Sequence, residues 1–223
     1  PKTVDKNTLV VITSVSGNTN ESLTILKKSL SSDAHIIAFS SGGKIRDFSQ
    51  KNDITYFKIP EVHSPRGSFT SFLYSILNVM ENFLPVKKSD VEESIKVLEQ
   101  TKLKISSLNL SKSNPSLNLA YWITQIPIIY YPSGLQSAAI RFKNSLQENS
   151  KTHAMTEDVI EACHNAIVSW EGKQHVQPIL IQGVDDYVKT KERWDTLRDF
   201  FNSKNIPYYE ISSVSGNIIS KIT

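Results

Sequence analysis

Six short runs rich in β-branched and aromatic residues punctuate this chain, at residues 8–13, 35–39, 55–59, 126–131, 178–181 and 208–211. Most are apolar throughout instead of alternating. Alternation marks a strand with one wet face, whereas a continuous run between helical stretches marks a strand covered on both faces. The intervening segments 21–30, 69–84, 91–103, 135–147, 156–169 and 189–202 carry helical periodicity. Strand, loop and helix in succession make the chain α/β, with parallel sheets flanked by helices. The succession breaks between Pro85 and Asn118, where a lysine-rich turn, one helix and the tract "SSLNLSKSNPSLN" intervene. We therefore expect two related units, 1–85 and 118–223, joined by a helical linker over 86–117.

Several partner classes are excluded by bulk properties. Twenty-five Lys and Arg against 22 Asp and Glu leave a net charge of +3, with no long run of one sign. Nucleic acid and anionic membrane surfaces are not the expected partners. No apolar run reaches the roughly 18 to 20 residues of a membrane span. The single cysteine, Cys163, rules out an internal disulfide framework and points to a reducing compartment, read here as the cytoplasm.

The most informative loop is "SVSGNT", residues 14 to 19, between an apolar run and a helical pattern. In a parallel sheet, ligands sit at the carboxyl ends of the strands, and the next helix offers unpaired N–H groups there. Ser14, Ser16 and Thr19 add hydroxyls, and Gly17 lets the backbone approach a ligand. Asn18 followed by Glu21 has the form of a helix-capping pair. The loop fits either a phosphate held by hydroxyls and amides or a polar turn that only caps a helix. "SVSGN" recurs at 213–217, without the threonine or a clear following helix, and is read as structural. "FSSGGKI", 39–45, places two glycines after a strand, which suits a tight turn more than a phosphate cradle.

Titratable residues give weaker signals. In "LQSAAIRFKNSLQENSK", Arg141, Asn144 and Glu148 share a face opposite the apolar one. Glu148 falls at the expected C-terminal end of that helix, where the macrodipole disfavours negative charge and raises a carboxyl pKa toward use in proton transfer. An exposed surface glutamate is the alternative. His164 sits in a helical pattern beside Cys163; adjacent helical residues diverge by about 100°, so no Cys–His nucleophile pair forms. His35, His63, His153 and His175 lack metal-ligand spacing, and no zinc is expected. Arg66, in "HSPRGSF", lies in a turn able to hold it over a ligand.

Together "VVITSVSGNTNESL", "FSSGGKI", "SPRGSF", "AAIRFKNSLQENSK" and "CHNAIVSWEG", in that order, resemble the sugar isomerase (SIS) domain family. The resemblance is closer to its archaeal-type bifunctional phosphoglucose/phosphomannose isomerases. It implies two SIS units, a hexose 6-phosphate substrate, no metal or redox cofactor, and a homodimer with its active site at the interface. On matching positions it implies that Ser14, Ser16, Gly17, Asn18 and Thr19 hold the substrate phosphate. It makes Glu148 the base that moves a proton between C1 and C2, Arg66 the stabiliser of the cis-enediol intermediate, and His164 the residue assisting ring opening, supplied by the neighbouring subunit. Chains of this family run longer at both ends, so the sequence is expected to lack an opening strand with its serine loop and a C-terminal segment bearing a lysine. A non-catalytic SIS module that binds a sugar phosphate is the alternative; it would need the serine loop but not Glu148, Arg66 and His164.

Overall fold

Every continuous apolar run becomes a strand of a parallel sheet in the computed structural model, which describes residues 3–62 and 64–223. His63 lies outside the described residues. The chain divides into two compact units between Val86 and Lys87.

In the first unit β1 (Leu9–Ser14), α1 (Asn20–Leu30), β2 (His35–Ser40), α2 (Gly43–Lys51) and β3 (Thr55–Lys58) alternate. A 3-10 turn, Pro65–Ser68, then leads into α3 (Phe69–Val79). The sheet order is β1-β2-β3, all parallel, with Ile12 opposite Ala38 and Ala38 opposite Tyr56. Ile12 and Ala38 meet Leu23 and Leu26 of α1 and Ile45 of α2 in one core. Both helices return to the sheet through an aspartate in the left-handed region, Asp33 and Asp53, each with φ 54°. Aspartate tolerates that conformation better than most residues.

The second unit begins with α4 (Lys88–Ile105) and α5 (Pro115–Trp122). It continues with β4 (Ile126–Tyr131), α6 (Gln136–Asn149), β5 (Met155–Asp158), α7 (Val159–His164), β6 (Val176–Gln182), α8 (Val188–Ser203), β7 (Tyr209–Ser212) and α9 (Ile218–Ile222). A second 3-10 turn, Ala166–Glu171, follows α7. The sheet order is β5-β4-β6-β7, again all parallel. Successive side chains of a strand point to opposite faces. Tyr130 and Leu180 accordingly join Trp194, Leu197 and Phe201 on one face, while Ile129, Tyr131, Ile179 and Ile181 join Leu119, Leu135 and Ala139 on the other. Both faces are covered, which is why β4 and β6 read as unbroken apolar runs.

Four expectations are corrected. The helix placed at 156–169 is instead the edge strand β5, the short helix α7 and a 3-10 turn. "MTED" hid the strand because its two carboxylates mimic a helix start, and Asp158 does cap α7, its Oδ1 accepting from Ile160 N–H at 2.8 Å. Helices α2 and α5 were not foreseen, one opening on glycine and the other lying in a Ser/Asn-rich tract; Asn114 caps α5 by accepting from Ser116 and Leu117 N–H. The segment 86–117 is no separate linker: α4 packs against α9, and Asn217 Nδ2 donates to the Asp90 carbonyl at 3.0 Å. Finally, a helix does follow the second "SVSGN", since Asn217 caps α9 by accepting from Ser220 N–H at 3.1 Å.

Candidate phosphate loop and acid-base residues

The loop from Ser14 to Thr19 crosses from the carboxyl end of β1 to the start of α1. Gly17 has φ 69°, a region glycine enters at no cost. Ser14 is buried; its Oγ lies 2.8 Å from Thr19 Oγ1 and accepts from Gly17 N–H at 3.1 Å. Ser16 Oγ accepts from Asn18 N–H at 3.2 Å. Ser16, Asn18 and Thr19 are exposed. The N-cap of α1 is Thr19, and no side chain caps it. The expected Asn18–Glu21 pair does not form, because Asn18 Oδ1 instead accepts from Lys44 N–H at 3.1 Å. Without a side-chain cap, the first-turn amides of this 11-residue helix are left to an outside acceptor, where the dipole favours an anion.

A second loop, between β2 and α2, is interlocked with the first. Ser41 N–H and Oγ both donate to the Val15 carbonyl, at 2.9 and 2.6 Å, and Ile45 N–H donates to the Gly17 carbonyl at 2.9 Å. The two glycine positions are dictated by this approach. A Cβ on Gly17 would stand 1.8 Å from the Gly42 carbonyl oxygen, and one on Gly43, φ 67°, 2.4 Å from the Ser16 carbonyl oxygen. "FSSGGKI" is therefore more than a tight turn, and the signal that marked it was the pair of glycines after a strand.

Arg66 also belongs to the first unit. It is half-buried in the 3-10 turn Pro65–Ser68, which Ser64 caps through the Gly67 N–H. Glu148 and His164 belong to the second. Glu148 is exposed in the last turn of α6, and Lys151 Nζ donates to its carbonyl at 2.7 Å. His164 is the exposed last residue of α7. The two therefore stand at the C-terminal ends of helices that precede and follow β5. Beside His164, burial pushes the Cys163 thiol pKa up, against a smaller opposing effect of Arg193, so no thiolate nucleophile is prepared there. On β5, burial and then the neighbouring Glu161 carboxylate raise the pKa of Glu157, a residue that gave no sequence signal.

The second "SVSGN" copy borders a cavity of about 360 Å³ in the second unit, walled by Leu119, Phe142 and Ile211 and edged by Arg141 and Lys221. Two of its polar side chains, Ser213 and Lys221, serve the fold. Ser213 Oγ accepts from Val184 N–H at 3.3 Å, and Lys221 Nζ donates to Asp185 at 2.8 Å, drawing that carboxyl pKa down. Among the described residues no cluster of three or more His, Cys, Asp or Glu could hold a metal ion, and no helix is long and apolar enough to cross a membrane.

Residues 112–223 match the family described as the bacterial phospho-glucose isomerase C-terminal SIS domain. The whole chain is 28% identical over 234 residues to a bifunctional phosphoglucose/phosphomannose isomerase of Caldicellulosiruptor bescii, spanning 68% of that protein. A D-glucosamine-6-phosphate 4-epimerase of Sulfolobus acidocaldarius is 29% identical over 181 residues, covering 80% of this chain and 56% of that protein. In fold, the chain is similar to a hypothetical protein of Thermus thermophilus, with a TM-score of 0.77 at 14% identity over 98% of this chain and 63% of the other. The chain thus spans about half to two thirds of the length of these relatives.

Proposed function

Because this chain belongs to the bacterial phospho-glucose isomerase C-terminal SIS domain family, we propose that it is part of an aldose-ketose isomerase acting on hexose 6-phosphates. The reaction interconverts glucose 6-phosphate, and mannose 6-phosphate as a second aldose, with fructose 6-phosphate. One observation carries the reading: an uncapped helix start, fixed by two interlocked loops and ringed by the hydroxyls of Ser14, Ser16 and Thr19. Amides and hydroxyls there offer a phosphate hydrogen bonds without a cation, which leaves the sugar carbons to be reached by other groups.

The chemistry then needs one proton acceptor. Glu148 removes the C2 proton of the open aldose, and the electrons of that C–H bond become the C1–C2 double bond of a cis-enediolate while the carbonyl oxygen takes the charge. The C2 hydroxyl proton passes to O1, leaving the charge on O2. That oxygen then closes to the C2 carbonyl as the carbon proton returns to C1, which yields the ketose, so C1 is reduced, C2 is oxidised, and the step balances without an external redox partner. A fixed cation lowers the barrier where charge peaks on oxygen, the role proposed for Arg66. Exposure of Glu148 gives it access to a substrate, and its place at the C-terminal end of α6 sets it against the helix dipole. His164 is assigned to ring opening from the partner subunit of a homodimer, and the cytoplasm is the proposed compartment.

A coupled assay of fructose 6-phosphate isomerisation by the full-length protein tests this. Glu148→Gln keeps the shape and removes the base, so kcat should fall by roughly 10²- to 10⁴-fold with the fold unchanged. Full activity in the variant would refute the assignment. Inversion at C4 of glucosamine 6-phosphate, with no isomerisation, would instead favour the chemistry named for the Sulfolobus relative. Binding of a hexose phosphate with neither reaction would mark a non-catalytic module.

A further inference from the structure

The phosphate loop is held by more than its own hydrogen bonds, and the groups that support it from outside reach back to β3. Tyr56 is half-buried there, its ring packed against the first unit's core. Its hydroxyl donates to the Ser40 carbonyl at 2.8 Å. Ser40 is fully buried, and its Oγ donates to the Gly42 carbonyl at 2.8 Å. That carbonyl oxygen is the atom lying flush against Gly17, and Ser40 Oγ itself would stand 3.0 Å from a Cβ there. The strut therefore runs from Tyr56 through Ser40 and Gly42 to the glycine at the middle of the phosphate loop.

Loop orientation follows from the same contacts. A trans peptide points its carbonyl and the next residue's N–H in opposite directions. Ser41 holds the Val15 carbonyl with two donors, so the Ser16 N–H is aimed away from the second loop. Both ends of the Asn18 amide are also spent inside the pair of loops, Oδ1 on Lys44 N–H and Nδ2 on the Ser16 carbonyl at 3.2 Å. The amides of Ser41, Lys44 and Ile45 are consumed in holding the first loop, which leaves the second loop a scaffold for it.

We infer that Tyr56 is a positioning residue for the phosphate loop, acting through Ser40 and the second glycine loop without touching the ligand. The inference rests on reading Ser14 to Thr19 as the phosphate site, and it makes Asn18 a bridge between loops instead of a ligand. Tyr56→Phe deletes only the hydroxyl and keeps the ring in the core. Loss of one neutral hydrogen bond in the support of a site should weaken binding about three- to tenfold.

The experiment titrates the full chain with inorganic phosphate and with fructose 6-phosphate by calorimetry, and measures amide hydrogen exchange at Ser41, Lys44 and Ile45 without ligand. Tyr56→Phe should weaken both ligands within that range and accelerate exchange at those three amides by a similar factor. Ser40→Ala should do the same. Ile36→Val, a core truncation away from the loops, lowers stability and should leave both readouts unchanged. Binding that survives Tyr56→Phe intact overturns the strut, as does an equal loss of affinity in Ile36→Val. Failure of the unaltered chain to bind either ligand overturns the phosphate reading beneath it.

Discussion

Replacing Gly17 by alanine adds one methyl group at the closest approach of two backbones. Two costs follow from the geometry. At φ 69° an alanine pays for the left-handed region, about 1–2 kcal/mol. Its Cβ would also stand 1.8 Å from the Gly42 oxygen and 2.8 Å from the Gly42 carbon. Neither is the end of a side chain that could swing away, so the two loops must separate locally, with an overpacking cost of about 1–3 kcal/mol. The sum is about 2–5 kcal/mol. Gly134 supplies the control, because its φ is 90° and a Cβ there meets nothing within 4 Å. Gly134→Ala should therefore show the conformational cost alone, about 1–2 kcal/mol. The two glycines lie in different units, so stability is read unit by unit from native-state hydrogen exchange. Ile12 and Ala38 report the first unit, and Ile129 and Ile179 the second. The reasoning is refuted if Gly17→Ala costs its unit no more than Gly134→Ala costs the other.

Two further predictions concern the second unit. Trp170 Nε1–H donates to the Tyr130 hydroxyl at 3.0 Å in the buried core, where burial drives the Tyr130 pKa far up and keeps the phenol neutral. Tyr130→Phe strands the indole N–H and should cost about 1–3 kcal/mol in urea unfolding followed by tryptophan fluorescence, all three tryptophans lying in this unit; a neutral substitution would show that the indole finds another acceptor. Glu157 has a folded-state pKa raised above its unfolded value, so the native state binds the proton more tightly. Stability from this group is present below about pH 4.5 and is lost as pH rises through the folded pKa, and Glu157→Gln should gain on the unaltered chain across that window in urea midpoints. Parallel pH profiles would refute burial as the cause.

The α/β class was legible because β4 and β6 must be apolar on both faces to lie between two helical layers, and no other common arrangement asks that of a short strand. The Ser14–Thr19 loop stood out as a candidate for a related reason, since small hydroxyl residues and a glycine between a strand and a helix suit either a phosphate or a polar turn that caps the helix. What local pattern could not supply was anything set by a partner distant in sequence. β5 is a strand because Ile128 to Tyr131 of β4 present it with a free edge, although its own residues invite a helix start. Asn18 was read as a cap for the helix beside it, yet its amide is taken by Lys44, 26 residues away. The glycine pair of the second loop looked like punctuation until its fit against Gly17 and Ser16 gave each glycine a reason. The sequence alone determined the residue types at the carboxyl ends of the strands, because chemistry and chain flexibility restrict which types can stand there. Which of them stay exposed and which are spent on hydrogen bonds between the loops was decided only by the tertiary structure, because hydrogen-bond partners are chosen by distance in space, and Tyr56 reaches Ser40 only once the parallel sheet has formed.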